Sequence, residues 1–337
     1  MSFPMRRSIA AAALAVLVGA GLAGCGRTTA PEADPQRETP PAAEESILTV
    51  EEYPIVEDSV DKPTHFEFMD RVDPAIRQKR QAIRESGTGP DVDGMNAKLA
   101  PFGYALRTQG GVGEADSTLK IYDLYKGEEL ILADITPDQL TPVFVNASET
   151  DWFFIAYIKN EGTVMVRSGE VLPWDLFQHL YEAPAYLGDD LLWVELAGEV
   201  GARSFRVVKE GEQLYEGRLP ESPVDNPFKN LAAWDGHWAA EVLGDVILDG
   251  QSLSKTQGYS EVFDLRLIKG RPFYFYSKGG KVYMSYDGKT LPETYDEVIH
   301  YKCCEPAAFN PSGNDSMVWF WARKGSMWHY VEAGIYE

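Results

Sequence analysis

The sequence has few residues of the kinds that enzymes use to bind metals or to attack substrates. Among its 337 residues are three cysteines and five histidines. No two histidines lie two or four residues apart, and no His-Glu-x-x-His motif occurs, so the sequence does not support a zinc site. It also lacks the Gly-x-Ser-x-Gly turn of serine hydrolases. We therefore predict no catalytic, cofactor-binding or metal-binding residues, and we leave enzymatic activity undecided with a preference against it.

Positively charged side chains are scarce relative to negative ones. The chain has 31 Lys and Arg against 52 Asp and Glu, which gives a net charge of −21. A surface this acidic repels phosphate backbones, so we exclude nucleic acid as a partner. The same charge argues against adhesion of the folded body to anionic lipid. Apolar residues make up 44% of the chain and aromatic residues 12%, enough for a sizeable core.

The N-terminal region lacks an apolar run long enough for a comfortable membrane span. Its apolar run extends from Ile9 to Leu22, whereas a spanning helix needs about 20 residues. The run follows the basic residues Arg6 and Arg7 and is rich in Ala and Gly. A basic start followed by a short apolar run is typical of a signal peptide.

The end of this run, Leu22-Ala23-Gly24-Cys25, resembles a bacterial lipobox. The resemblance implies that Cys25 receives a diacylglycerol, as in other acylated (for example palmitate-bearing) lipoproteins, and becomes the mature N-terminus. We therefore predict a lipoprotein signal peptide over residues 1–25, with ordinary secretion as the alternative. Gly26, rather than Asp, follows the cysteine. In Gram-negative lipoproteins that implies transfer to the outer membrane, facing the periplasm.

Two segments precede the region of regular pattern. Residues 26–46 are rich in Pro and acidic residues and contain no large apolar residue, which predicts a disordered, extended tether. Residues 47–100 form a lead-in with a candidate strand over 47–56 and a short helix that begins at Asp73-Pro74, an N-cap followed by proline. The helix is basic. We interpret it as a solvated face, with contact to an acidic lipid or partner as the alternative.

Residues 101–337 contain a repeat with a period of about 40 residues. Each copy has apolar, alternating runs split by glycine turns, as expected for antiparallel strands. One such sheet cannot bury both of its faces, so several copies must pack together. We predict an all-β, six-bladed β-propeller, with an open β-sandwich or two small β domains as alternatives. The repeat aligns on the glycine before the last short strand of each copy: Gly127, Gly169, Gly211, Gly250, Gly288 and Gly334.

Three segments near the C-terminus carry a family resemblance. Phe309 to Gly313 reads F-N-P-S-G, and Asp287 to Leu291 reads D-G-K-T-L with Tyr295 to Val298 after it. These segments resemble the turn elements of TolB-type propeller repeats and of related bacterial envelope propellers. The resemblance implies the fold. It implies no catalytic residues, because the elements are structural turns and the family shares no catalytic set.

Two pairs of residues are open to more than one interpretation. Cys303 and Cys304 are adjacent in the chain and either form a strained vicinal disulfide or remain as thiols. Alkylation of both without reductant, measured by mass, would rule the disulfide out. Trp319 and Trp321 lie on one face of a predicted strand. We interpret them as packing between blades, with a glycan-stacking platform as the alternative.

The predicted function combines the anchor with the repeat. We expect a lipid-anchored cell-envelope β-propeller that acts as a non-catalytic protein-interaction scaffold. Its partners would be the membrane, through the lipid on Cys25, and an envelope protein. The alternative is a propeller enzyme or binding protein that acts on cell-wall or exported carbohydrate in its central funnel, where ionisable side chains should then converge.

Overall fold

The computed structural model describes residues 48–54, 91–109, 121–137, 140–159, 161–173, 184–197, 204–219, 228–303, 307 and 309–336. By its contacts the chain divides into Met1–Glu45 and Ser46–Glu337, and every described residue belongs to the second unit. The predicted signal peptide with Cys25, the tether, the helix from Asp73 and Cys304 lie outside the described residues. Within the described part, no helix is both long and apolar enough to cross a membrane.

Antiparallel strands make up most of the described chain, as the all-β prediction requires. The first elements are strand β1 (Thr49–Pro54), helix α1 (Val92–Leu99) and a 3-10 turn (Ala100–Phe102). Helix α1 begins where the side chain of Asp91 accepts a hydrogen bond from the amide of Gly94 (2.9 Å). Sequence analysis missed this helix.

The first sheet joins two copies of the repeat. Its strands run in the order β2-β3-β4-β6-β7-β8, with β5 paired to β6. The two copies are joined because β4 pairs with β6, Ile135 opposite Ile158 and Thr136 opposite Tyr157. The strands are β2 (Tyr104–Thr108), β3 (Tyr122–Lys126), β4 (Glu129–Thr136), β5 (Phe144–Val145), β6 (Trp152–Ile158), β7 (Gly162–Arg167) and β8 (Glu170–Pro173).

The next three sheets are four-stranded meanders, each made from one copy of the repeat. The second sheet contains β9 (Ala185–Leu187), β10 (Asp190–Ala197), β11 (Ser204–Lys209) and β12 (Glu212–Arg218). The third contains β13 (Phe228–Trp234), β14 (His237–Val242), β15 (Asp245–Leu248) and β16 (Gln251–Ser252), followed by helix α2 (Leu253–Gln257). The fourth contains β17 (Glu261–Ile268), β18 (Arg271–Lys278), β19 (Lys281–Tyr286) and β20 (Lys289–Tyr295).

The fifth sheet combines both ends of the described chain. Its strands are β21 (Glu297–Val298), β22 (Ser312–Gly313), β23 (Met317–Lys324), β24 (Met327–Gly334) and the early strand β1. Strand β1 pairs antiparallel with β24, from Thr49 opposite Gly334 to Pro54 opposite His329. The lead-in strand predicted over 47–56 therefore exists, but it is an edge strand of the last sheet.

Five of the six aligned glycines occupy the same structural position. Gly127, Gly169, Gly211, Gly250 and Gly288 all have positive φ and lie in the turn before the last strand of a copy. In the turn at 287–288, φ is 50° for Asp287 and 73° for Gly288. Positive φ at both central residues is the requirement of a type I′ hairpin, which matches the twist of its strands.

The prediction for Gly334 is wrong. Gly334 is the last residue of β24 and pairs with both Met317 and Thr49, so it is not in a turn. The reason is that β1 occupies the sheet edge at which the other copies place their own fourth strand. Backbone pairing at that edge is therefore supplied from the other end of the chain.

Apolar clusters lie between sheets that follow each other in the chain. Aromatic and β-branched side chains from facing strands fill each one, and full burial of such a side chain contributes about 1.5–3 kcal/mol. Helix α1 adds Met95 and Leu99 to the core of the first sheet. Representative residues from the four contacts between successive sheets are Phe153 with Leu191, Phe205 with Trp238, Ala239 with Val262, and Phe275 with Phe320.

The first strands of the middle sheets lie side by side, with β13 next to both β9 and β17. In the fifth sheet the corresponding edge is interrupted. Strands β21 and β22 both pair with β23, at Ala322–Arg323 and at Val318–Trp319 respectively. Between them, the described residues 300–303 and 309–311 lie off the sheet edge and are called the excursion. This excursion forms one wall of the cavity described next.

Candidate binding cavity

A cavity of about 700 Å³ lies between β13, β17 and the excursion from the fifth sheet. Pockets for small ligands have volumes of about 300–1,000 Å³. The lining includes Lys229 and Asn230 from β13, Asp264 to Leu267 from β17, and His300 to Cys303 from the excursion. A second cavity of about 470 Å³ shares Asn230 and Leu267 with it and continues along β5 and β9. The first strands of the sheets therefore line both spaces.

Glu241 is a buried carboxyl at the base of the larger cavity. It lies on β14, is 1% exposed, and accepts hydrogen bonds from the Leu265 amide (2.7 Å) and the Tyr301 hydroxyl (2.5 Å). Burial, with the nearby charge of Asp264 as the second cause, raises the pKa of Glu241 to about 7. The hydrogen bonds from Tyr301 and from backbone amides lower it in part. Glu241 is thus a carboxyl that gains or loses a proton near neutral pH.

Tyr301 links the excursion to the third sheet. Its backbone has φ 51°, a conformation that is uncommon for a residue with a side chain. The Tyr301 hydroxyl donates to Glu241 and accepts from the Gly244 amide (3.2 Å). Burial, and then the charge of Glu241, raises the pKa of Tyr301 well above its usual value, so the hydroxyl stays protonated. The Lys229 ammonium lies 5.6 Å from the centroid of the Tyr301 ring.

A β-bulge in β17 directs a charged pair into the cavity. The register between β17 and β18 shifts between Phe263 and Arg266, and Asp264 has φ 56°. Bulges of this kind re-aim side chains next to binding sites. Asp264 accepts two hydrogen bonds from Arg266, one from Nε at 3.0 Å and one from Nη2. The two charges largely neutralise each other.

His300 is held by stacking and by two hydrogen-bond acceptors. Its ring stacks on Phe263 with centroids 3.7 Å apart. Nδ1 lies 2.7 Å from the carbonyl oxygen of Val298, and Nε2 lies 3.0 Å from Oε1 of Glu261. A carbonyl oxygen can only accept, so Nδ1 carries a proton. The contact with Glu261 and the stacking on Phe263 both hold the ring against β17.

Two lysines complete the charged lining. The backbone of Lys302 is clamped by Asn310, whose Oδ1 accepts from the Lys302 amide and whose Nδ2 donates to the Lys302 carbonyl, both at 2.9 Å. The Lys302 side chain is exposed, and Lys229 is half-buried. Among the described residues, no carboxylate lies within ion-pair distance of the ammonium of either lysine.

Only one of the two adjacent cysteines is among the described residues. Cys303 is exposed and lines the cavity, whereas Cys304 is not among the described residues. The vicinal disulfide therefore stays a prediction, as does lipidation of Cys25.

Trp321 is a buried packing residue, but its cluster comes from the fifth sheet and the segment beside it, whereas the sequence interpretation placed it between blades. It is 2% exposed and packs edge-on against Phe309 and Tyr330, with ring centroids 5.6 and 5.4 Å away. Trp319 is partly buried against the same cluster. Neither tryptophan lines the cavity.

Nothing in the described part of the chain groups three or more His, Cys, Asp or Glu side chains as a metal site would require. Sequence analysis missed Lys229, Glu241, Asp264 and Tyr301. A signal existed for Glu241, since it follows Trp238, Ala239 and Ala240 in a largely apolar strand. Carboxylates in such positions are rarely fully buried unless they are paired.

Comparison with other proteins adds little. No family model matches the chain, and no curated protein matches it. TolB from Acinetobacter baumannii is 14% identical with a TM-score of 0.30, over 64% of this chain and 59% of that chain. A prolyl endopeptidase is 11% identical with a TM-score of 0.27, over 77% and 55%, and the polysaccharide lyase Uly1 is 12% identical with a TM-score of 0.21, over 69% and 56%. The chain thus spans less than two thirds of the length of each of these structures. At these TM-scores we take neither a fold assignment nor a function from them.

Proposed function

We propose that residues 101–337, together with β1, form a six-bladed β-propeller. Three features support this proposal. A turn with glycine at positive φ recurs at the same place in five copies, and in four of them both central residues have positive φ. The sheets pack face to face in chain order, and β1 completes the last sheet. In this proposal the seven-stranded first sheet counts as two blades that share the β4–β6 pairing.

We further propose that the protein is a lipid-anchored cell-envelope scaffold that binds a partner without catalysing a reaction. The observation that carries this proposal is that the ionisable groups of the cavity are hydrogen-bonded to other protein groups. Asp264 pairs with Arg266, and Glu241 bonds to Tyr301 and to a backbone amide. Groups bonded to one another in this way build a shaped recognition surface, whereas catalysis needs an acid or base directed at a substrate.

The anchor is tested by replacing the lipidated residue. We expect Cys25→Ser to move the protein from the membrane fraction to the soluble fraction and to abolish incorporation of labelled palmitate. Cys303→Ser serves as the matched control and should leave both unchanged. An unmodified wild-type N-terminus, seen by mass spectrometry, would refute the anchoring proposal.

The partner is tested by crosslinking in the native envelope. A photoreactive amino acid at Lys302, on the cavity rim, should give a discrete crosslinked protein band. The same amino acid at Lys126, an exposed position on β3, is the control and should not give that band. Failure to recover any specific protein from Lys302, combined with glycan binding by the protein, would replace the scaffold with the competing hypothesis.

That competing hypothesis is an enzyme or binding protein for cell-wall or exported carbohydrate. The size of the cavity and its position beside the first strands β13 and β17 favour it. So does the convergence of ionisable side chains, since Glu241, Asp264 and His300 all line the cavity and the pKa of Glu241 is raised to about 7. Release of reducing ends from a purified glycan would identify an enzyme. Saturable binding without any release would identify a carbohydrate-binding protein.

A further inference from the structure

Among the described residues that line the cavity between β13, β17 and the excursion, basic side chains outnumber acidic ones, in contrast to the whole protein. The chain carries a net charge of −21, so most of its surface repels anions. Inside the cavity the Asp264–Arg266 pair cancels. The carboxyl of Glu241, also in the lining, is held by the Tyr301 hydroxyl and the Leu265 amide. Lys229 and Lys302 remain uncompensated by any described carboxylate within ion-pair distance. Low-dielectric walls focus the field of such charges and concentrate ligands of the opposite sign.

Both lysines are attached to backbone that is held in place. Lys229 lies on β13 beside the Tyr301 ring, and the Tyr301 hydroxyl is bonded to Glu241 and Gly244. Lys302 is clamped through both of its backbone polar groups by Asn310. Less conformational entropy is lost on binding when the groups that bind are already positioned.

The rest of the lining favours an organic ligand over a bare inorganic ion. Leu265, Leu267 and Pro311 contribute apolar surface beside the charged groups. A volume of about 700 Å³ is much larger than an inorganic anion requires. Lysine ammonium groups act as point charges and donate hydrogen bonds to carboxylate or phosphate oxygens alike.

We propose that this cavity is a binding site for a small organic anion, held by Lys229 and Lys302. The ligand chemistry is a carboxylate or phosphate on a compact organic body. This inference goes beyond the scaffold proposal, although both involve the same cavity: it concerns a small molecule inside the cavity and is tested by titration, whereas the protein partner is tested by crosslinking at the rim.

The test compares three sugars of similar size by calorimetric titration of the full chain at low salt. Glucuronate and glucose 6-phosphate carry the two candidate anionic groups, and glucose carries neither. We expect at least one of the two anions to bind about tenfold more tightly than glucose, with an affinity that falls when the salt concentration is raised. The comparison between glucuronate and glucose 6-phosphate distinguishes carboxylate from phosphate.

Variants assign the binding to the cavity. Lys229→Met and Lys302→Met keep much of the side-chain stem and remove the charge, and each should weaken binding of the anion about fivefold or more. Lys229→Arg should restore binding in part. Lys126→Met is the matched control, because Lys126 also lies over a tyrosine ring, 5.2 Å from that of Tyr104, but outside the cavity.

Three results would overturn the proposal. The first is equal binding of glucose and both anions, and the second is no binding of any of the three sugars at millimolar concentration. The third is unchanged affinity in both cavity variants at unchanged melting temperature. If a methionine variant melts at a lower temperature than wild type, Lys229→Arg is titrated with the anion at low and at high salt instead. This variant keeps the positive charge, so its affinity should still fall as salt is raised. An affinity that does not change with salt would count against the proposal.

Discussion

Glu241 is the residue at which burial and charge oppose each other most directly. It is almost inaccessible to water, faces Asp264, and is held by the Tyr301 hydroxyl and the Leu265 amide. Its pKa is raised to about 7 in the folded chain, from the ordinary value of 4.5 for a glutamate side chain. The folded state therefore holds this proton more tightly than the unfolded state does. The stabilisation from this proton is complete below pH 4.5 and is lost as the pH rises to 7.

We predict that Glu241→Gln removes this pH dependence. Each pKa unit corresponds to about 1.4 kcal/mol. The rise in the pKa of Glu241 from 4.5 to about 7 therefore corresponds to about 3 kcal/mol of unfolding free energy, lost between these two pH values. The unfolding free energy of the variant, relative to wild type, should rise between pH 5 and pH 8, as measured by chemical denaturation at several pH values. The control is Glu212→Gln, at an exposed position, which should show a flat difference. A flat difference for Glu241→Gln as well would mean that this carboxyl titrates normally.

Two other residues of the cavity have a left-handed backbone conformation that their residue types do not predict. Asp264 and Tyr301 both have positive φ, at 56° and 51°. Such conformations persist where surrounding contacts stabilise them, and they cluster at binding sites. At both positions those contacts are visible, from Arg266 for Asp264 and from Glu241 for Tyr301.

At the scale of elements, the type I′ hairpin is the unit from which the sheets are built. In the described part of the chain, seven hairpin turns have positive φ at both central residues, and in every one the second residue is glycine: 168–169, 210–211, 235–236, 249–250, 269–270, 279–280 and 287–288. A hairpin turn is decided by two adjacent residues, so its signal is local. Sequence analysis could therefore locate most of the strands correctly.

We predict that Gly288→Ala destabilises the protein by about 1 kcal/mol or more, because alanine is strained at a φ of 73°. A Cβ at this position would meet nothing within 4 Å, so the loss would come from the backbone alone. Gly288→Asn should cost less, since asparagine tolerates the left-handed region. Urea denaturation of the two variants side by side measures the difference. Equal losses would indicate that the turn is not the source.

The interruption of the fifth sheet is an element that no repeat pattern predicts. The F-N-P-S-G segment was expected to be a blade turn, and it leads the chain back into β22 at Ser312. The chain leaves the sheet edge before it, after Ile299, whose amide still bonds to the Trp321 carbonyl. This departure brings His300, Tyr301 and Lys302 to the cavity. The repeat pattern reports only the strands that all copies share. The cavity depends on the one sheet whose first strand is interrupted, so the pattern does not predict it.

At the scale of the whole molecule, the last sheet depends on a strand from the other end of the chain. Glu52 on β1 accepts hydrogen bonds from Lys324 (2.5 and 2.6 Å) and from the Tyr295 hydroxyl (2.9 Å). Leu48, just before β1, is 4% exposed in the core between the fourth and fifth sheets. The N-terminal strand therefore contributes both to the edge and to the core of this part of the fold.

We predict that Leu48→Ala lowers the unfolding free energy by about 2–4 kcal/mol, the usual cost of a buried leucine truncated to alanine. Leu130→Ala is the matched control, because Leu130 is 50% exposed on β4 and should lose no more than about 0.5 kcal/mol. Both values come from denaturant titration. If the two variants lost equal stability, β1 would not hold the last sheet in solution.

The sequence by itself determined the strands, their turns and the all-β class. These follow from side-chain alternation and from residues such as Asp287 and Gly288, which act on their immediate neighbours. Only the tertiary structure decided that β1 joins β24 and that Lys229, Glu241, Asp264 and Tyr301 meet in one cavity. The ion pair between Glu52 and Lys324 joins residues 272 positions apart. No spacing in the sequence encodes such a contact, because it depends on how whole sheets pack.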